Sequence, residues 1–154
     1  MLYTEPLAYF ITFTTYGSWL HGDPRGSYTK EPRFVLPNEN WVQLETRSLK
    51  YPPLLFTMEQ RSVVDQAIRE LCVKRHWKLH TVNVRTNHVH LVVTAVQTSP
   101  ERVMRDLKSA ATLTLRKKRM ISEERKPWTE HGSTIYLFEQ EEFDGACYYV
   151  RNCQ

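Results

Sequence analysis

Two helix-start signals bracket a stretch that reads as strand, and together they restrict the folds open to this chain. Thr57-Met-Glu-Gln60 is a capping box, a hydroxyl N-cap with a glutamine three residues on. Behind it Val64, Ala67, Ile68, Leu71 and Cys72 share one helical face, with Arg61, Asp65, Arg69 and Glu70 largely turned away, predicting a helix to about His76. Ser99-Pro100-Glu101 supplies a second N-cap, a proline at the first helical position and an acid in the first turn. That helix buries Met104, Leu107, Ala111 and Leu115. Between the two helices, Lys78–Arg85 and His88–Ala95 are β-rich, and the Thr86-Asn87 link predicts a hairpin.

The flanks complete the pattern. Ala8–Thr15 alternates Tyr9, Ile11 and Phe13 against Phe10, Thr12 and Thr14, the signature of a strand. Ser133–Glu139, with Ile135 and Leu137 alternating with Tyr136 and Phe138, predicts a last strand, and 141–152 a final helix. The order is β-α-β-β-α-β plus a terminal helix. This predicts an α+β, ferredoxin-like fold: a four-stranded antiparallel sheet with two helices on one face.

A length of 154 residues suits one domain, 1–154, large enough to bury a core without disulfides. Tyr16–Phe56 holds three of the five glycines and five of the eight prolines, mixed with Trp19, Tyr28, Phe34, Trp41 and Tyr51, and is read as a long loop over about 16–56. Loops of that length inside a compact domain are often functional. Hydrophobic residues at 41% and charged ones at 25% exclude disordered and fibrous classes. The formal charge of +4 permits a polyanionic partner without demanding one. Cys72, Cys147 and Cys153 are odd in number and form no CxxC pair, so reduced, buried thiols are expected. No run of apolar residues is long enough for a membrane span, and the first residues lack a secretory pattern. A cytoplasmic location is the expectation, nucleoid-associated when bound to DNA.

Chemistry concentrates in Asn87-His88-Val89-His90-Leu91-Val92-Val93. Strand alternation sends His88 and His90 to one face, roughly 7 Å apart along the strand, and Val89, Leu91 and Val93 to the other. With the helices covering the apolar side, the imidazoles stand on the opposite, open face. Two neutral imidazoles at that spacing hold one divalent cation and leave room for a third ligand, water and substrate oxygens. Spacing alone leaves zinc binding, magnesium chemistry and an uninvolved polar surface all open.

Tyr148 and Asn152 are four apart on the last helix and share a face. An Asn carboxamide oxygen is a reasonable third ligand to a hard cation, which puts Tyr148 one turn away. A free tyrosine has a pKa of about 10 and attacks poorly at neutral pH, so a cation helps it chiefly by polarising the electrophile. The most natural electrophile is a phosphodiester, and the product a covalent phosphotyrosine. Packing of both tyrosines against the sheet is the plainer alternative.

The Asn87–Val92 segment, the two ferredoxin-type helices, Trp128 and Tyr148-Tyr-Val-Arg-Asn152 together resemble the HUH-superfamily single-tyrosine transposases. The likeness is nearest to insertion-sequence transposases and REP-associated tyrosine transposases. It extends from Tyr9-Phe-Ile-Thr-Phe-Thr to Asn152 and takes in Phe13-Thr-Thr-Tyr-Gly-Ser-Trp-Leu-His-Gly-Asp23. The resemblance implies that His88, His90 and Asn152 are metal ligands and that Tyr148 is the nucleophile. It further implies Mg²⁺ or Mn²⁺, no nucleotide cofactor, and cleavage of one strand of hairpin-containing DNA with the 5′ phosphate kept on the tyrosine. Tyr149 is the alternative nucleophile; its neighbour four residues on, Cys153, suits a hard cation poorly.

Arg105, Lys108, Arg116, Lys117 and Arg119 lie on or at the end of the second helix and are the candidate phosphate contacts. Loop aromatics are candidate stacking surfaces for unpaired bases. The partner expected is therefore single-stranded or hairpin DNA, with no membrane and with homodimerisation left open. His80 is read as structural, and His21, His76 and His131 have no assigned role. Two other readings remain: a non-catalytic ferredoxin-like nucleic-acid-binding protein, domesticated or inactive, and a zinc-binding domain.

Overall fold

The computed structural model describes residues 4–18, 27–28, 34–35 and 51–152. Its elements, in chain order, begin with strand β1 (Ala8–Thr15) and the two-residue strands β2 (Ser27–Tyr28) and β3 (Phe34–Val35). Helix α1 (Met58–Arg75) leads to strands β4 (Lys78–Val84) and β5 (His88–Thr94). Helix α2 (Pro100–Lys117), strand β6 (Trp128–Leu137) and helix α3 (Gln140–Asn152) follow. The main sheet has four strands in the order β4-β5-β1-β6 with every pair antiparallel, while β2 and β3 form a separate small ribbon. Leaving that ribbon aside, this is the ferredoxin-like plan with a helix appended.

Each helix starts where its side chains satisfy orphan amides. The Thr57 hydroxyl accepts from the Gln60 amide at 3.1 Å, and the Gln60 carboxamide accepts from the Thr57 amide at 2.9 Å. Ser99 accepts from the Arg102 amide at 3.2 Å to open α2. His76, left-handed at φ 59°, ends α1 by sending its amide back to the last-turn carbonyls of Cys72 and Val73.

Strand alternation divides the core in two. Ile11, Phe13, Val89, Leu91 and Val93 face α1 and α2, where they meet Val64, Ile68, Val103, Leu107 and Leu115. On the reverse face Ala8, Val92 and Leu137 meet Ala146, Cys147 and Val150 of α3, flanked by Phe10 and Phe143. Burying a large aliphatic side chain stabilises by roughly 1.5–3 kcal/mol, so both layers are held mainly by apolar contact. The face expected to be open therefore carries α3, because that helix has its own apolar stripe to bury.

β6 starts at Trp128, ahead of the expected Ser133. It is an edge strand paired only with β1, and 130–133 are exposed, so no hydrophobic alternation announces it. Gly132 permits the pairing: a Cβ there would meet the Thr12 carbonyl oxygen at 2.5 Å and Met104 Sδ at 2.6 Å. The β4–β5 turn takes three residues where two were expected, closed by the Arg85 amide donating to the His88 carbonyl at 2.8 Å.

The described ends of the 16–56 segment are tied together beside that turn. The Leu54 amide donates to the Tyr16 carbonyl at 2.8 Å, the Thr15 hydroxyl to the Leu54 carbonyl at 2.6 Å, and the Phe56 amide to the Thr86 carbonyl at 2.7 Å. Arg125 lies over the rings of Tyr16 and Tyr51 and donates to the Pro52 carbonyl. The expectations placed on Trp19, His21, Trp41 and Cys153 lie outside the described residues. Among those described, no helix is long and apolar enough to cross a membrane.

Candidate functional site

β5 carries the histidine pair on the α3 side of the sheet, with His88 opposite Thr14 and His90 flanked by Thr12 on β1 and Asn83 on β4. The imidazoles stand 5.0 Å apart between centroids with perpendicular planes. His88 Nδ1 lies 2.9 Å from the Asn87 carboxamide oxygen. With that oxygen accepting, His88 donates from Nδ1, the kind of bond that orients the ring of a metal-binding histidine.

His90 is only 2% exposed, and its Nε2 is buried with no hydrogen-bond partner among the described residues. Burial above all, then the nearby charges of His88 and Arg85, push its pKa down to about 4. The ring is therefore neutral at pH 7 and presents a lone pair where a proton is disfavoured. An orphaned buried nitrogen beside a second imidazole fits a divalent cation. Among the described residues no three His, Cys, Asp or Glu side chains cluster.

α3 brings one tyrosine to the pair. The Tyr149 ring lies 5.6 Å from His90 and 5.9 Å from Phe10, edge-on to the imidazole. Tyr148 is 63% exposed and turns to solvent. Asn152, also exposed, donates from Nδ2 to the Tyr148 carbonyl at 3.1 Å, so the two residues are linked along the helix as their spacing implies. The structure thus gathers His88, His90 and Tyr149, with Tyr148 and Asn152 on the adjoining surface of the same helix. Asn83 was missed by the sequence reading: its Nδ2 donates to the Val150 carbonyl at 3.0 Å, from the strand position facing His90. Asparagine inside a β-rich run is itself unusual, and that was the available signal.

The cations of α2 divide into two sets. The Lys108 ammonium donates to the carbonyls of Thr129 (2.9 Å), His131 (3.3 Å) and Glu130 (3.5 Å) and sits 5.9 Å from the Phe13 ring; burial pushes its pKa down to about 8. Arg116 donates to the Arg125 carbonyl at 3.1 Å. Arg105, Lys117 and Arg119 are exposed, although Arg105 Nε also lies 3.5 Å from Asp106. Arg105, Lys108, Arg116 and Lys126 border an open groove of about 580 Å³ between α2 and the start of β6. His80 contacts Thr94 at 2.7 Å and stacks edge-on with Phe143 at 4.8 Å, supporting the N-terminal half of α3.

A family model described as "Transposase IS200 like" matches residues 48–152. Two solved structures share the fold. One is a REP-associated tyrosine transposase bound to a REP hairpin, at 12% identity and a TM-score of 0.54 over 97% of this chain and 67% of the other. The second, from Deinococcus radiodurans R1 and assigned as a transposase, is 11% identical with a TM-score of 0.57, over 100% of this chain and 95% of the other. No curated protein matches the sequence.

Proposed function

This chain belongs to the IS200-like transposase family and is a transposase, and from that premise we propose that it nicks and rejoins single-stranded DNA through Tyr148. The phenolic oxygen attacks a backbone phosphorus, a new O–P ester forms, and the bond from phosphorus to the 3′ oxygen of the neighbouring nucleotide breaks. The phenol loses its proton and the departing 3′ oxygen gains one, leaving a 5′-phosphotyrosine and a free 3′ hydroxyl. One phosphodiester is exchanged for another, so no nucleotide cofactor is required. Attack by a 3′ hydroxyl on the phosphotyrosine reverses the step and joins strands.

The observation that carries this reading is the His88–His90 pair, with the buried, orphaned Nε2 of a neutral His90, beneath the helix that bears Tyr148 and Asn152. His88, His90 and the Asn152 carboxamide oxygen would hold a divalent cation, Mg²⁺ or Mn²⁺. Bound there, it supplies positive charge to a phosphoryl oxygen as charge develops in the transition state. The Asn152 Nδ2 donates to the Tyr148 carbonyl, a bond that does not use the carboxamide oxygen assigned the ligand role. Asn87 holds the His88 ring, and burial keeps His90 unprotonated.

The substrate proposed is hairpin-containing DNA, a reading supported by the REP hairpin named with the related structure. Arg105, Lys117 and Arg119 contact its phosphates, while Lys108 and Arg116 add charge to the groove wall from behind. A second reading makes Tyr149 the nucleophile, favoured by its ring contact with His90.

Incubation of end-labelled single-stranded hairpins with the protein and Mn²⁺ tests both. Wild type gives a denaturant-resistant adduct, Tyr148→Phe gives none while still binding DNA, and Tyr149→Phe retains it. An adduct that persists in Tyr148→Phe and disappears in Tyr149→Phe moves the role to Tyr149. Absence of adduct from wild type on every hairpin leaves a non-catalytic DNA-binding protein.

A further inference from the structure

We propose that Asn83 is a positioning residue for strand cleavage, tethering the tyrosine helix to the strand beside the histidine pair. The inference rests on the reading of Tyr148 as nucleophile. Asn83 occupies the interior of β4, a place where asparagine is disfavoured, and it faces His90 directly across the β4–β5 pairing. Its side chain leaves the sheet on the α3 side and donates from Nδ2 to the Val150 carbonyl at 3.0 Å. Val150 is fully buried and lies in the last turn of α3, where carbonyls have no partner within the helix. Asn83 supplies that buried oxygen with a side-chain donor.

The tether falls midway between the residues it would align. Val150 is two residues after Tyr148 and two before Asn152, so one hydrogen bond fixes the height and rotation of the turn bearing both. Because Asn83 and His90 occupy paired positions on neighbouring strands, the tether and the metal-ligating ring share one rigid frame. The apolar contacts of Ala146, Cys147 and Val150 hold α3 on the sheet but allow sliding; the Asn83 bond is directional. A reacting group displaced by about 1 Å can lose a hundredfold in rate, which is the sensitivity such a tether addresses.

Asn83→Asp is the informative variant, since it keeps the shape and removes the donor, with Asn83→Gln as the conservative comparison. The full chain is assayed for single-turnover adduct formation on a saturating hairpin with Mn²⁺, for hairpin affinity, and for amide hydrogen exchange. Asn83→Asp is expected to slow adduct formation at least tenfold with hairpin Kd within twofold of wild type. Exchange should quicken in the last turn of α3 and stay unchanged in β5, and Asn83→Gln should recover part of the rate. An Asn83→Asp rate within twofold of wild type overturns the proposal. So does loss of protection throughout the sheet with equal rate losses in both variants, the mark of a merely structural residue. Persistence of the adduct in Tyr148→Phe defeats the nucleophile assignment instead, so the two failures are told apart.

Discussion

Acidification of the metal-free protein should destabilise it through His90. In the folded chain its pKa is about 4, against 6.5 for an unperturbed histidine, chiefly because the ring is buried. Between those values the unfolded chain binds a proton that the folded chain refuses, so stability falls as pH falls through that window. For a single site this amounts to about 2 kcal/mol at pH 5 and about 3 kcal/mol at pH 4, relative to pH 8. His80, whose pKa burial also lowers, contributes in the same direction, so the His90 share has to be isolated by substitution. Urea denaturation in EDTA at pH 8 and pH 5, for wild type and His90→Gln, does this. The fall in unfolding free energy should be about 2 kcal/mol smaller in the variant, whatever its absolute stability. Equal losses in the two proteins would refute the placement of a neutral, buried imidazole at the centre of the site.

Other parts of the account are tested more simply. Gly132→Ala should cost roughly 1–3 kcal/mol in chemical denaturation, because the added methyl meets a backbone carbonyl at 2.5 Å; a neutral result would contradict the close β1–β6 approach. Replacing both Lys117 and Arg119 with alanine should reduce the slope of log affinity against log salt for single-stranded DNA by about 1.4, two phosphate contacts' worth. Lys108→Met should instead lower the denaturation midpoint more than it changes that slope, since its ammonium is bonded to the β6 carbonyls. Equal slopes in wild type and the double variant would remove the end of α2 from the DNA interface.

Much of the fold was legible because its signals are local. Thr57 and Ser99 cap helices through their own side chains, and the alternation at 88–93 reflects two faces with different neighbours. The start of β6 was not legible, since Thr129 to Ser133 form part of an edge whose side chains bury little. The rotation of α3 was encoded but not read. Phe143, Ala146, Cys147 and Val150 make an apolar stripe at helical spacing, and that stripe turns to the sheet. By helical geometry Tyr149 then falls roughly 60° from Ala146, while Tyr148 is about 100° or more from every member of the stripe. The meeting of Tyr149 with His90 and of Asn83 with Val150 depends on how helix and sheet dock, a tertiary fact with no local signature.

The central claim is that Tyr148 forms the covalent bond to DNA. Tyr148 and Tyr149 fall in one tryptic peptide, so fragment ions must distinguish them. Wild-type protein trapped on a hairpin with Mn²⁺, digested with trypsin and nuclease and sequenced by mass spectrometry, should carry a 5′-phosphonucleotide on Tyr148. The same modification on Tyr149, or on any residue outside α3, would contradict the account.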